Sequence, residues 1–523
     1  MQRRYLILFM SLISGFIILF FADYYLEKMV KSKLTRSISG ATDGRYRILI
    51  EDLQINYLPL SLEISNFKIN TVSVDTSIRN NSVSCSLLLL KNIDLTEILF
   101  HNRLVIEKIV SVEPVMNFNG EDTLKFKAGS PKKQVFDSIF VSRVELIRSA
   151  VNFSRKLPES YNFSYKNGAV YIDNLGMHLK SNDPKPNFSF GSAVALFYQL
   201  KWTNNDYYTN VVGKLLISFA TSTVEVDSFH CSPVFSPEEF ARRFKYQTDQ
   251  FDLFIPSIRL RNVDYFKVLN EGKLVAGLCN ISNAKFEIFR DKNFIRKSGN
   301  ITSLQKKLAT AGVKSDVALI TLENSSIVYR ELEVDQSKAG VVTMNEVNGS
   351  IFNFCSGQRS LDTIKLDLNA NFMGSKLVSF WRFPLKELSV NFECNGEIGK
   401  MKLISLNAIT KTNAGLTINS GYMEGLHFNI KADYRSAKGQ VRMKYSNLNV
   451  SVEDQLRSKT LNKMADFALN KWIIRSNSPD NGLTPGSGDI YYPNNPERFF
   501  INYSLKALLV GVKDIVISGN EKK

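Results

Sequence analysis

The sequence predicts a mostly β protein in which an N-terminal transmembrane helix precedes a large antiparallel sheet with a few short helices. Three observations carry that prediction. One charge-free apolar run lies near the N-terminus. Apolar and polar residues alternate with a period of two through much of the rest. Aromatics make up 11% of the chain, chiefly 36 Phe and 20 Tyr, which favours strands. With 523 residues, 44% of them apolar, the chain can bury a large core, which excludes wholesale disorder. The net charge of +16 (66 Lys and Arg against 50 Asp and Glu) is mild for this length and fits an anionic partner or plain solubility.

The apolar run is YLILFMSLISGFIILFF, residues 5–21. Its core is Tyr5, Leu6, Ile7, Leu8, Phe9, Ile13, Phe16, Ile17, Ile18, Leu19, Phe20 and Phe21. A helix through Leu26 is about 33 Å long and sets Tyr24 and Tyr25 at interface depth. No small-residue cleavage site follows, so an uncleaved signal anchor is favoured over a cleaved signal peptide. Flanking charges (Arg3 and Arg4 against Lys28, Lys31, Lys33 and Arg36) do not set the orientation. Long domains translocate largely regardless of such charges, so the body is expected outside the cytoplasm. The expected divisions are an anchor with a short extension (1–38), β-rich regions over 39–235 and 236–475, and a linker with a C-terminal segment (476–523).

In the body, Ile364, Leu366, Leu368, Ala370 and Phe372 alternate with polar neighbours, as do Leu388, Val390, Phe392 and Cys394, and Leu426, Phe428 and Ile430. One wet and one dry face marks antiparallel sheets. The alternation slips by one residue in places. Ile48 and Ile50 give way to Leu53 and Ile55, Leu62 and Ile64 to Phe67 and Ile69, and Val441, Met443 and Tyr445 to Leu448 and Val450. A β-bulge or a tight turn between short strands explains each slip. A weak repeat links residues 104–118, 141–153, 274–289 and 317–330, either as a true repeat or as the likeness any meander gives. Helices are expected at 91–102, at 236–247 with Ser236, Pro237 and Glu239 forming a capping box, at 304–312 and at 461–474. Residues 476–488, SNSPDNGLTPGSG, read as a linker. The apolar stretch 505–517 is too short to span a bilayer and is expected to lie on a membrane or to form a last strand or helix.

Chemistry is harder to find. His101, His178, His230 and His427 are mutually remote, and Cys85, Cys231, Cys279, Cys355 and Cys394 form no CxxC pair. No zincin, serine-hydrolase, P-loop or Rossmann signature occurs. No catalytic, cofactor or metal residue is nominated, although carboxylates converging only in three dimensions leave a hydrolase open. Interspersed charges argue against nucleic-acid binding.

Three stretches resemble the AsmA-like family of bacterial envelope proteins, of the Bacteroidetes type. They are the anchor followed by GRYRILIEDLQINYLPLSLEISNFKI (44–69), the paired strand LVIEKIVSVEPVMNF (104–118) after a short helix, and YRSAKGQVRMKYSNLNVSV (434–452) with IYYPNNPERFFINYSLKALLVGVKDIV (490–516). The resemblance covers both ends and about half of the chain. It implies a long, curved antiparallel sheet with an apolar groove, single-pass anchorage in the inner membrane, and a periplasmic body. It also implies phospholipid transfer or outer-membrane assembly, with membrane lipids and an outer-membrane or periplasmic protein as partners. The candidate groove lining is Ile364, Leu366, Leu368, Phe372, Leu388, Val390, Phe392, Leu426, Phe428, Ile430, Val441, Met443 and Tyr445. The alternative is a non-enzymatic assembly factor in which the same faces pack into a closed core.

Overall fold

The structure, a computed structural model, describes residues 27–32, 35, 46–71, 81–120, 136–155, 161–178, 187–203, 205–296, 299, 302–357, 360, 362–452, 473–494 and 500–518. The apolar run 5–21 and residues 461–472 of the helix expected at 461–474 lie outside them, and Ile473–Ile474 is a short strand. Among the described residues no helix is long and apolar enough to cross a membrane. The chain divides into two compact units, Met1–Thr221 and Ser222–Lys523.

Unit 1 opens with the helical residues 27–32 (α1). The strands β1 (Tyr46–Leu49), β2 (Asp52–Tyr57), β3 (Leu60–Thr71) and β4 (Ser82–Ile93) follow, then helix α2 (Leu95–His101). β5 (Arg103–Val112), β6 (Val115–Asn119), β7 (Ser138–Arg155), β8 (Tyr161–His178), β9 (Asn187–Ser189), β10 (Ser192–Thr203) and β11 (Tyr208–Ser218) complete it. In space β1 and β2 pair end to end along β3, β5 and β6 lie along β4, and β9 and β10 lie along β8.

Unit 2 runs β12 (Thr223–Pro233), α3 (Pro237–Arg242), β13 (Gln250–Val263), α4 (Tyr265–Glu271), β14 (Lys273–Ser282), β15 (Lys285–Asp291), α5 (Leu304–Ala309), β16 (Lys314–Leu332) and β17 (Gly340–Ser356). It continues with β18 (Thr363–Phe372), β19 (Ser375–Pro384), β20 (Phe392–Ile398), β21 (Met401–Lys402), α6 (Asn407–Ala414), β22 (Leu416–Ala432) and β23 (Ser436–Val452). β24 (Ile473–Ile474), β25 (Gly486–Pro493), helix α7 (Phe500–Val516) and β26 (Ile517–Ser518) end it. From β16 to β23 each strand pairs antiparallel with the next strand or strand pair, and β25 adds beside β23.

The mostly β architecture with few helices is as the alternation predicts. The wholly antiparallel expectation needs correction. β7 runs parallel to β5 and β6, and β16 runs parallel to β14 and β15. A parallel pair needs a crossover rather than a hairpin, and α5 lies within the crossover from β15 to β16.

These parallel junctions expose a true repeat. β4–α2–β5–β6–β7 in unit 1 and β13–α4–β14–β15–β16 in unit 2 share one plan. Asp94 and Asp264 accept backbone N–H groups at the two helix starts. Asn102 and Gly272 take the left-handed conformation at the helix ends. Further left-handed pairs are Asn92 with Asn262, Glu113 with Asn283, and Arg148 with Asn324. The four look-alike stretches therefore fall into two kinds: 104–118 and 274–289 are strand pairs broken by a left-handed residue, whereas 141–153 and 317–330 are single strands bent at one. The helix expected at 91–102 begins only at Leu95, because Lys91–Ile93 stay in β4. The capping box of α3 is as expected.

Two of the three slips in alternation share a cause. Asn66 in β3 and Asn447 in β23 have φ of 47° and 53°. A single left-handed residue reverses the alternation, and Asn tolerates that conformation better than most residues. Ile64 and Phe67, three apart, therefore pack in one cluster with Ile48, Leu53 and Leu88. Tyr445 and Leu448 share another. In β3 no register is lost: Ser65 faces Leu87 and Phe67 faces Cys85. Around Asn447 the register with β22 shifts repeatedly, which is a bulge. The slip after Ile50 is the break between β1 and β2. Each unit has such a level of reversed alternation, a crease, and on both sides of it the apolar residues keep to one face.

The stretch read as a linker is packed. Ser478 is buried and donates its backbone N–H to the Tyr445 carbonyl, and Gly486–Pro493 forms β25. Its glycines are there for contact rather than freedom. A Cβ on Gly488 would lie 2.1 Å from the Gly511 carbonyl oxygen of α7. A Cβ on Gly511 would lie 2.6 Å from Val441 Cγ2. Helix α7, over the stretch expected as strand or helix, thus lies directly on the sheet, with Tyr503, Ala507, Gly511 and Ile515 buried and Ile501, Leu505 and Leu509 outward. We expect Gly488→Ala to lower the unfolding free energy by about 2–3 kcal/mol through overpacking. Denaturant melts check this; an unchanged midpoint would mean that the helix does not seat here.

Candidate functional site: an apolar sheet face

Side chains facing one another across strands share a face of the sheet. In unit 2 one such row runs Val224, Leu260, Cys279, Ile320, Ile351, Leu366, Trp381, Cys394, Ile430, Gly439 and Ile490. The row beside it runs Val226, Ile258, Ile281, Leu322, Gly349, Leu368, Ser379, Gly396, Phe428, Val441 and Gly488. Neither holds a charged residue. Ten strand-to-strand steps make each about 48 Å long.

Unit 1 repeats the pattern. One row is Ile64, Leu88, Ser111, Leu146, Val170, Ala195 and Ile217, and its neighbour is Leu62, Leu90, Ile109, Val144, Ile172 and Ala193. Both are again free of charge. Across the crease Tyr165 and Phe197 meet with ring centroids 4.8 Å apart, and the buried Ser149 hydroxyl lies 3.3 Å from the Tyr165 hydroxyl.

Coverage of the face is uneven. At the C-terminal end of unit 2, α7 lies over it, and Phe500 closes an aromatic group with Trp381, Phe383 and Phe392. Leu304 and Leu308 of α5 pack against the same core. Tyr265 and Val268 of α4 shield Val263, Cys279 and Val317. Row residues such as Leu322 and Leu366 are only half-buried, as are Ile258, Ile281 and Ile320 beside the α4 cluster and Leu88, Val144, Leu146 and Val170 in unit 1.

The residues nominated from sequence divide accordingly. Ile364, Phe392, Leu426, Ile430, Val441, Met443 and Tyr445 are buried in the core that α7 and α5 adjoin, with Phe372, Val390 and Phe428 packed against it. Leu366 and Leu368 stand in the half-buried rows. Leu388 is half-buried in the segment between β19 and β20, where its carbonyl accepts from the Ser303 hydroxyl at the start of α5. Sequence reasoning missed the rows between Val224 and Ile351 and all of unit 1. The signal was present in Val224 and Val226, Ile258 and Leu260, and Ile320 and Leu322, where alternation is as strict but shorter.

The face is a low-dielectric surface. Burial pushes the Cys279 thiol up to about 11 and raises that of Cys394 further, so both stay protonated and weakly nucleophilic. Among the described residues no three His, Cys, Asp or Glu side chains converge as a metal site. His427 is exposed, 3.6 Å from Glu397.

Past the crease in unit 2 the face ends in charge. Phe251, Ile288 and Tyr329 face one another across β13, β15 and β16. Two residues further on stand Arg290 and Glu331. Arg290 makes a two-pronged pair with Asp249 at 2.5 and 2.6 Å. Lys292 bridges Glu331 at 2.6 Å and Glu333 at 2.7 Å, and Tyr329 donates its hydroxyl to Glu331 at 2.5 Å. Burial opposes the charge on Glu331, but the hydrogen bonds and charge of Lys292 outweigh it and hold the carboxyl below its usual range. Burial and the Glu331 charge raise the Tyr329 hydroxyl far above its usual range.

Because the folded-state pKa of Glu331 is depressed, its contribution is present above the ordinary carboxylate pKa and lost as pH falls through the folded value. Lys292→Met removes the partner. It is expected to cost about 2 kcal/mol at neutral pH and to flatten the loss of stability on acidification. Urea melts across that range read both effects, and parallel pH profiles for the two proteins would refute the assignment. In comparison with known proteins, no family model matches the chain and no curated protein matches it.

Proposed function

We propose that the chain is a membrane-anchored, lipid-handling protein of the bacterial envelope, of AsmA-like type. Residues 5–26 hold it in the inner membrane, and its body stands in the periplasm. Phospholipid acyl chains lie along the apolar sheet face, for lipid transfer or outer-membrane homeostasis, and are passed to or from an outer-membrane or periplasmic protein. No catalytic step, cofactor or metal is part of this reading.

The observation that supports it is the pair of uncharged rows crossing strand after strand while remaining half-buried over much of their length. Each methylene moved from water onto such a face gains about 0.8 kcal/mol, so a chain of many methylenes binds without directional contacts. Ionic groups such as Arg290 and Glu331, paired with Asp249 and Lys292, stand where the face ends. A second reading, an assembly factor with a closed core, draws support from α7, which covers the face at the C-terminal end.

The test is lipid content. Full-length protein purified in mild detergent should carry phospholipid detectable by mass spectrometry. Leu366→Glu, at a half-buried row position, should lose most of it while melting cooperatively. Wild-type protein free of lipid under the same conditions would overturn the conduit reading and leave the closed-core one standing.

A further inference from the structure

Most of the exposed large apolar side chains of unit 1 gather at one end of its strands, although Leu49 and Tyr198 lie elsewhere. Tyr57 and Leu58 form the tip of the β2–β3 hairpin, where Leu58 is 98% exposed. The Asn92 backbone N–H donates to Ser61 beside this tip, placing the end of β4 next to it. Helix α2 follows at once, with Leu99 72% and Phe100 77% exposed and Leu95 also outward. Arg103 at the end of α2 faces Ser138, Ser138 faces His178, and the adjacent Met177 faces Phe188, which is exposed as well. The rim is therefore contiguous across the sheet. Glu97 pairs with Arg103 there at 3.1 Å, and Lys91 and Asp137, of opposite sign, are exposed on the same rim.

The described chain also begins at this rim. Glu27 accepts from the Ile55 backbone N–H, Lys31 donates to the Glu51 carbonyl, and Val30 packs on the Ile48 cluster. Helix α1 thus runs antiparallel to β2, and its N-terminal end points toward the Tyr57–Leu58 tip. Residues 5–21, seventeen in number and free of charge, come shortly before Glu27 in the sequence. Glu27, where the described residues begin, lies on the side of the apolar rim. Unit 2 repeats the device by itself: α4, the counterpart of α2, turns out Phe266 (71% exposed) and Leu269 (59%).

We propose that this rim of unit 1 is seated in the interfacial layer of the same bilayer that the anchor crosses. The inference rests on the anchor reading above. Exposed Leu and Phe side chains enter to a depth of about 5–10 Å, as in interfacial helices. The exposed Leu and Phe side chains supply the attraction and the rim's charges are of mixed sign, so neutral phospholipid suffices. The strands of unit 1 then stand on their ends against the membrane, and the uncharged rows nearest the rim open beside the acyl layer.

The test uses the full chain reconstituted into phosphatidylcholine vesicles. Tryptophan is introduced at Leu99 or, as a control at the opposite strand ends, at Asn162, and quenching by brominated phosphatidylcholine is read against the unsubstituted protein. Leu99→Trp should be quenched severalfold more than Asn162→Trp. Equal quenching in protein that stays with the vesicles through an alkaline carbonate wash would overturn the rim and leave the anchor. Protein that washes off would overturn both. A Leu99→Trp emission that shifts to the blue with protein concentration in detergent, without lipid, would assign the rim to a second copy of the chain and also overturn the proposal.

Discussion

The fold depends on keeping every apolar side chain on one side of a sheet that bends. A strand alternates its side chains strictly, so a sheet creased across its strands would turn its dry residues outward beyond the bend. A left-handed residue within many of the strands, such as Asn66, Asn92, Asn324 and Asn447, reverses the alternation and prevents this, at a steric cost that Asn bears better than most residues. Neighbouring strands must reverse at the same level, or their hydrogen bonds part. Asn283, Asn324 and Asn348 show how that is enforced: the Asn324 amide donates to Asn283, and its backbone N–H donates to the Asn348 side chain. In unit 1 Arg148 reaches Glu113 in the equivalent place. The crease is a line of polar contacts between strands, and the apolar face exists because that line holds.

The repeat places the same solution in both units. Each copy enters through a strand, turns a short helix at the strand ends, returns as a broken strand pair and then adds a long strand parallel to that pair. Such a module adds a fixed number of strands and preserves the sidedness of the sheet. Extension by repetition is how solenoid-like proteins lengthen a binding surface without designing a new core.

Much of this was legible in the residues. The period of two gave the strands and the dry face, whereas the slips between Ile64 and Phe67 and between Tyr445 and Leu448 read equally as a bulge or a tight turn, because the left-handed angle of Asn66 or Asn447 leaves no mark in composition. Parallel pairing was not legible, because β7 and β16 alternate as antiparallel strands do; only the crossover distinguishes them. The packed role of residues 476–488 was also hidden. Gly486 and Gly488 have the composition of a flexible linker, and their purpose appears only when Gly511 of a helix arrives from further along the chain. The face itself could be read from Leu366 and Leu368. Which part of it is covered could not, since burial beneath α7 is a relation between distant segments.

The close seating of α7 has a consequence at the last strand. Among the described residues β25 pairs on one side only, with β23. A free strand edge is a template for further pairing and so for aggregation. Here the strand is eight residues long, ends in Pro493, and is pressed by a helix backbone at Gly488. An incoming strand from another molecule would meet a short border ending in a residue that cannot donate. The glycine contact that seats the helix thereby also disfavours strand pairing with another molecule along this edge.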